Sequence, residues 1–128
     1  MAVASASVIG LGIDNVDVER FRKVLQRTPR FAERVFTPAE LVYAAAQADP
    51  TQRLAARFAA KEAVMKALGV GLGAVRLADI EVVRHPSGAP GLALHGGAAA
   101  LAKQQGVGRW WLSLTHTDLV ASAIAVAE

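Results

Sequence analysis

The stretch RFAAKEAVMKALG, Arg57 to Gly69, decides how this chain folds. Alanine and larger apolar residues dominate it, so a helix here is apolar around most of its circumference and expects burial. Asp49-Pro50-Thr51-Gln52 opens that helix with an acidic cap, a proline at the first helical position and a glutamine three residues after the cap, a capping box. The helix runs to about Leu68, and Gly69 is its C-terminal stop. Three charges, Lys61, Glu62 and Lys66, intrude where burial is expected. Glu62 falls between Phe58, four residues before, and Met65, three after, on a stripe flanked by Leu54 and Gly69.

A lone carboxylate on an apolar stripe is costly unless it is paired or binds a metal. One reading pairs Glu62 with Lys66, one turn on, in an intrahelical bridge. The other looks to Val8–Asp14, VIGLGID, whose alternation is that of a strand. Val8, Gly10, Gly12 and Asp14 share one face, and Ile9, Leu11 and Ile13 the other. Asp14 ends this strand on a face otherwise made of glycine, which leaves room for another element or a ligand. Two carboxylates, one at a strand end and one on a helix, suit a hard divalent cation, and the nearby lysines and Arg57 suit phosphate. Both readings stand on spacing alone.

Outward from these two segments, residues near 16–27 form a basic helix and 29–35 a short second one. Thr37-Pro38-Ala39-Glu40 is a capping box that starts a helix to about Gln47. Asp79–His85 and Gly91–His95 are strands joined at the Pro86-Ser87-Gly88 turn. Ala98 to about Gln105 is helical, and Arg109–Thr115 with Leu119–Ala127 make a final hairpin turning near His116-Thr117-Asp118. Strands and helices in this order predict a single α+β domain over 8–128, with an antiparallel sheet packed on the long helix. Residues 1–7 are expected to be a flexible extension.

A chain of 128 residues holds one modest core. It has no cysteine, which excludes disulfides and thiolate metal sites and favours an intracellular setting. MAVASAS lacks the basic and apolar regions of a secretory signal, and no apolar run is long enough to span a bilayer. A cytoplasmic protein with no membrane partner is expected. Arg20, Arg22, Lys23, Arg27, Arg30 and Arg34 cluster, opposed within that stretch by Glu33 alone. The cluster is either a solvated face or a dock for an anionic partner. No aromatic platform or recognition-helix signature points to nucleic acid.

His85 and His95 stand beside turns and read as surface residues, and His116 follows a strand between the hydroxyls of Thr115 and Thr117. A lone histidine with one partner is no zinc site. Gly69-x-Gly71-x-Gly73 follows a helix instead of a strand, so it is neither a dinucleotide fingerprint nor a P-loop.

Three separated segments, GLGIDNVDVERF (10–21), RFAAKEAVMKALGVG (57–71) and LSLTHT (112–117), resemble the holo-acyl-carrier-protein synthases, the small phosphopantetheinyl transferases. DIEVVRHPSGAPGLALHG (79–96) is similar to that family's central hairpin, so the likeness runs from Val8 onward. The resemblance implies transfer of 4′-phosphopantetheine from coenzyme A to a serine of apo-acyl carrier protein, with release of adenosine 3′,5′-bisphosphate, in support of fatty-acid or polyketide synthesis. It implies Mg²⁺, with Mn²⁺ as a substitute, on Asp14 and Glu62, and catalytic roles for Asp14, Glu62 and Lys66. Coenzyme A contacts then fall on Arg57, Lys66, Gly69, Gly71, Thr115 and His116, and carrier docking on Arg20, Arg27 and Arg30. It further implies a homotrimer with shared active sites, Glu62 from one subunit meeting His116 from the next.

This sequence departs from the family at Thr115, where serine is usual and a hydroxyl is kept, and at Trp110-Trp111, unusual beside it. Two rivals remain: a nucleotide pyrophosphatase with water as nucleophile, and a non-catalytic binder of coenzyme A or acidic carrier helices. A small-molecule hydrolase needs no basic dock, and a mere binder needs no Asp14, Glu62 and Lys66 together.

Overall fold

A computed structural model describes residues 7–128, so the expected extension at 1–7 lies outside the described residues except for Ser7. In chain order the elements are β1 (Gly10–Asp17), α1 (Val18–Arg27), α2 (Phe31–Val35), α3 (Pro38–Ala45), α4 (Pro50–Ala67), a 3₁₀ turn (Leu77–Asp79), β2 (Ile80–Arg84), β3 (Pro90–Leu94), α5 (Gly96–Gln104), β4 (Trp110–His116) and β5 (Val120–Ala127). The α+β architecture is as expected. The strands, however, form two sheets: antiparallel β1-β5-β4, and the hairpin β2-β3, whose β3 lies against β4.

The 18-residue α4 packs across β1 and β5. Its face is largely alanine, and β5 presents Ala121, Ala123, Ala125 and Ala127 to it, all buried. Small side chains on both sides bring helix and sheet close, and β1 presents glycine, Gly10 and Gly12, where its backbone meets the helix backbone. A Cβ on Gly10 or Gly12 would strike the carbonyl oxygens of Ala67 and Ala63. The glycine face of the strand is therefore spent on packing α4, and this sets Asp14 against the helix that carries Glu62 and Lys66.

β1 is longer than expected. It runs through Asp17, with Asn15, Val16 and Asp17 pairing with Ser122, Ala121 and Val120. Asp14 is thus not a strand end but lies mid-strand opposite Ala123. The alternation continues through Val16, which packs inward while the basic helix waits until Val18. Asp17 caps that helix by accepting from the Arg20 amide at 2.8 Å.

Thr37 and Glu40 form the expected reciprocal capping box on α3. The second box forms only by half. Asp49 accepts from the Thr51 amide, but Gln52 donates its side-chain amide to Asp118 at 3.0 Å and does not return to the cap.

A second core lies between α1, α2 and α4, where the Phe21 ring meets Phe31, Phe36 and Phe58 at centroid distances of 5.8, 6.3 and 5.2 Å. Each such aromatic pair adds about 0.5–1.5 kcal/mol beyond area burial. Arg22 bridges from α1 to Asp49 at the start of α4, at 3.1 Å, and also to Glu19. It is engaged inside the fold and leaves the basic cluster smaller than the sequence suggests.

The most deeply placed charge is Lys61. It is fully buried, and its Nζ donates to Glu40 Oε1 at 2.8 Å and to the carbonyls of Leu77 and Ile80. Glu40 Oε1 also accepts from the Thr37 amide, and Oε2 from the Val82 amide. One buried ion pair thereby joins α3, α4 and β2. Burial pulls the Lys61 pKa below the ordinary amine range, and the Glu40 carboxylate offsets part of that.

Candidate active site

Asp14 on β1 and Glu62 on α4 line one cleft of about 430 Å³, and Lys66 of α4 pairs with Asp14 beside it. Lys66 Nζ donates to Asp14 Oδ1 at 3.1 Å and to the Ile13 carbonyl at 2.9 Å. The intrahelical bridge to Glu62 is not formed; Lys66 reaches across to the strand instead. Among the described residues no hydrogen bond or ion pair engages the Glu62 carboxylate. Burial raises its pKa above the usual glutamate range, the Asp14 charge raises it further, and Lys66 lowers it.

Facing carboxylates that repel one another, one of them without a partner, form a donor set that a hard cation relieves. No group of three or more acidic or histidine ligands exists among the described residues. Two carboxylates suit Mg²⁺, which keeps several waters and completes its shell with substrate phosphate oxygens. The residues present fit the ion.

The same cleft is lined by Phe21, Phe31 and Phe58, with Arg20 at its rim. Arg20, Arg27 and Arg30 are exposed and, among the described residues, make no ion pair. The cleft therefore combines two carboxylates, an apolar wall and the charge of Arg20.

Arg57 and His116 lie elsewhere. They line a separate cavity of about 200 Å³ with Tyr43, Arg53 and Arg84. Arg57 sits nearly half a turn away from Glu62 around α4, so the two cannot share one face. His116 is the last residue of β4 and points to the helix side, whereas Thr115 beside it points out from the sheet and borders Ile13 and Ser122. Thr115 therefore does not join His116. Gly69 and Gly71 sit in the exposed loop after α4 and line neither cavity. His85 and His95 are exposed, as expected, with His95 bonded to Glu81 at 3.0 Å.

Sequence reasoning missed Tyr43, Arg53 and Arg84, which no motif marks, and the apolar wall of the first cleft. The spacing of Phe21, Phe31 and Phe58 across three helices carries no periodic signal.

The outer face of the three-stranded sheet is apolar. Leu11, Ile13, Trp111 and Ile124 are exposed on it, with Trp111 and Leu11 both registered on Val126. Trp111 is the outward tryptophan, bonded to Glu128 at 2.9 Å and covered by the Arg109 guanidinium, while Trp110 packs into the core. Among the described residues no helix is long and apolar enough to cross a membrane.

The family model of the 4′-phosphopantetheinyl transferase superfamily matches residues 10–124. A holo-[acyl-carrier-protein] synthase of Moorella thermoacetica is 49% identical over 117 residues, 91% of each chain. Among solved structures, holo-[acyl-carrier-protein] synthase from Neisseria meningitidis superposes with a TM-score of 0.87 at 33% identity, over 95% of this chain and 99% of that one. The Helicobacter pylori enzyme in complex with coenzyme A gives 0.81 at 30% identity, over 92% and 99%.

Proposed function

The chain belongs to the 4′-phosphopantetheinyl transferase superfamily, and on that premise we propose how its own residues perform the reaction. It transfers 4′-phosphopantetheine from coenzyme A to a serine hydroxyl of apo-acyl carrier protein and releases adenosine 3′,5′-bisphosphate. The observation that carries the assignment of residues is that Asp14, paired with Lys66, and Glu62 line one cleft together with Arg20.

Mg²⁺, or Mn²⁺ in its place, held by Asp14 and Glu62 would neutralise charge on the diphosphate. The serine Oγ forms a bond to the phosphorus that carries pantetheine, and the bond from that phosphorus to the adenosine-side phosphate oxygen breaks. Glu62, whose carboxylate lines the cleft with no hydrogen-bond partner among the described residues, takes the serine proton. Lys66 keeps positive charge beside the departing phosphate, and Asp14 holds its ammonium in place. Phe21, Phe31 and Phe58 keep water from the reacting end of the cleft. We place this activity in the cytoplasm, in the supply of holo-carrier for fatty-acid synthesis. Incubation with coenzyme A, Mg²⁺ and an apo-carrier, read by intact mass, tests it. A carrier that gains no phosphopantetheine while coenzyme A is hydrolysed would make the protein a pyrophosphatase; no change in either would make it a binder.

Carrier proteins present an acidic helix, and Arg20, Arg27 and Arg30 are the free charges that meet it. Arg20→Glu or Arg27→Glu should raise the KM for carrier by about tenfold or more at low salt and flatten its salt dependence. The KM for coenzyme A should stay within about twofold. Equal effects on both substrates would assign the arginines to the nucleotide or to folding.

A homotrimer with active sites at subunit boundaries accounts for two features. The outer sheet face exposes large apolar side chains, and a domain this small gains core by association. The carboxylate cleft and the arginine cavity, both expected to contact one substrate, are separate in a single chain. Glu62→Gln and His116→Ala proteins, each nearly inactive, should recover activity when mixed, at about a quarter of the interfaces for random assortment in a ring. Native mass spectrometry verifies the exchange. No recovery after proven exchange puts both residues in one chain's site.

A further inference from the structure

Two cations stand one turn apart on the buried side of α4. Arg57 and Lys61 are four residues apart, Arg57 only 5% exposed and Lys61 not at all. Like charges at that spacing repel, and here no water screens them. Lys61 Nζ donates to Glu40 Oε1 at 2.8 Å, whereas among the described residues no hydrogen bond or ion pair joins Arg57 to Glu40, and the Arg57 Nε has no partner. Burial lowers the Arg57 pKa, and Tyr43 and Glu40 offset part of that. Glu40 is thus bonded to one cation and acts on the other through its charge alone.

A cavity of about 190 Å³ is lined by Glu40 and Glu81 together with Tyr43, Arg57 and Arg84. The last three also line the arginine cavity, which no carboxylate lines. These three side chains therefore border both cavities, with acids in one and none in the other. Glu81 is engaged elsewhere, accepting from the Thr37 hydroxyl at 2.7 Å and bonded to His95 at 3.0 Å. Glu40 is the acid tied to α4.

The Glu40–Lys61 pair also fastens each element that brings one of the three. Tyr43 follows Glu40 by three residues on α3, and Arg57 precedes Lys61 by four on α4. On β2, Arg84 comes two residues after Val82, whose amide donates to Glu40 Oε2 at 3.1 Å. Those steps are one helical turn or one strand period, so each side chain stands beside its anchor on the same face. The guanidinium carbons of Arg57 and Arg84 lie 4.0 and 5.1 Å from the centre of the Tyr43 ring, and Arg84 donates to the Tyr43 hydroxyl at 2.7 Å. Such stacking holds only while the three elements keep their spacing.

We infer that Glu40 is a positioning residue for coenzyme A: paired with Lys61, it fixes Tyr43, Arg57 and Arg84 relative to one another and balances the two cations of α4. The inference rests on the function proposed above, in which the arginine cavity contacts coenzyme A. Neither Glu40 nor Lys61 lines that cavity, so neither touches the substrate there.

Variants separate positioning from mere stability when each is assayed well below its melting temperature. Glu40→Gln should raise the KM for coenzyme A about tenfold, the scale of a weakened charge-assisted hydrogen bond, with kcat and the KM for carrier within about twofold. Glu40→Asp shortens the side chain but keeps the charge. Its melting temperature should fall as for Glu40→Gln, while its KM for coenzyme A stays within about threefold of wild type. Glu40→Leu/Lys61→Met should melt above Lys61→Met, because no charge is left buried, and yet keep the raised KM, because Arg57 has lost its counter-charge. Leu101→Ala, a change in the core on α5, should lower the melting temperature and leave the KM for coenzyme A alone. Calorimetric titration with coenzyme A reads the same tenfold loss without carrier. Wild-type protein that modifies no apo-carrier, but binds coenzyme A about tenfold more tightly than Glu40→Gln does, defeats the proposed function and leaves the positioning role standing. A KM for coenzyme A within about twofold of wild type in both Glu40→Gln and the double variant overturns the inference. So does a KM that follows the melting temperature across all these proteins, or an equal rise in the KM for carrier.

Discussion

Glu62→Gln and, separately, Asp14→Ala are expected to lower the rate of transfer by about 10²–10⁴-fold at saturating coenzyme A and Mg²⁺, with the melting temperature close to wild type. The size follows from what is lost. Glutamine keeps the shape of Glu62 but neither takes a proton nor contributes charge to a cation, and it leaves Asp14 as the lone anionic oxygen donor. Asp14→Ala removes the other donor and also frees Lys66, which now rests on the Asp14 carboxylate and the Ile13 carbonyl. Stability should hardly move, because Lys66 and Asp14 pair near solvent, and such pairs contribute about 0–1 kcal/mol. The measurement is intact-mass kinetics beside thermal melts, with chelator-treated wild-type protein expected to match the variants. Near wild-type turnover in either variant would remove these carboxylates from the chemistry.

The largest effect on stability is expected at a residue outside the cleft. Glu40→Ala leaves the Lys61 ammonium fully buried with only the Leu77 and Ile80 carbonyls as acceptors, and also strips the Thr37 and Val82 amides of theirs. Breaking one side of a buried pair costs about 3–5 kcal/mol. In a domain of this size that lowers the melting temperature by roughly 10 °C or more. Lys61→Met should cost a similar amount through the stranded carboxylate. The double variant Glu40→Leu/Lys61→Met should recover part of the loss, since no charge is then left buried, but not all of it, since the two amides stay unpaired. Urea unfolding of the three proteins measures the coupling. Single changes costing under about 1 kcal/mol would show that the pair does not join the three elements as described.

Function was legible in this sequence to the extent that its chemistry sits in local motifs. Gly10, Gly12 and Asp14 alternate on one strand, and Glu62 and Lys66 stand one helical turn apart, so which side chains share a face follows from backbone periods of two and 3.6 residues alone. The caps at Thr37 and Asp49 located the starts of two helices to the residue, because a cap satisfies amides within three positions of itself. The resemblance to the phosphopantetheinyl transferases rested on those same local segments.

Distance in sequence hid the remainder. Lys61 lies 21 residues from Glu40 and 19 from Ile80, and no helical wheel can tell a buried lysine with three acceptors from one that reaches solvent. The choice of Asp14 over Glu62 as partner of Lys66 was equally closed to it, for it depends on how closely the glycine face of β1 lets α4 approach. Tyr43, Arg53, Arg57, Arg84 and His116 come from four elements and meet only when β2 and β4 pack beside α4. Periodicity, capping and glycine placement act over a few residues and are written in the chain. Charge pairing and cavity lining are set by which elements touch, and packing of the whole core alone decides that.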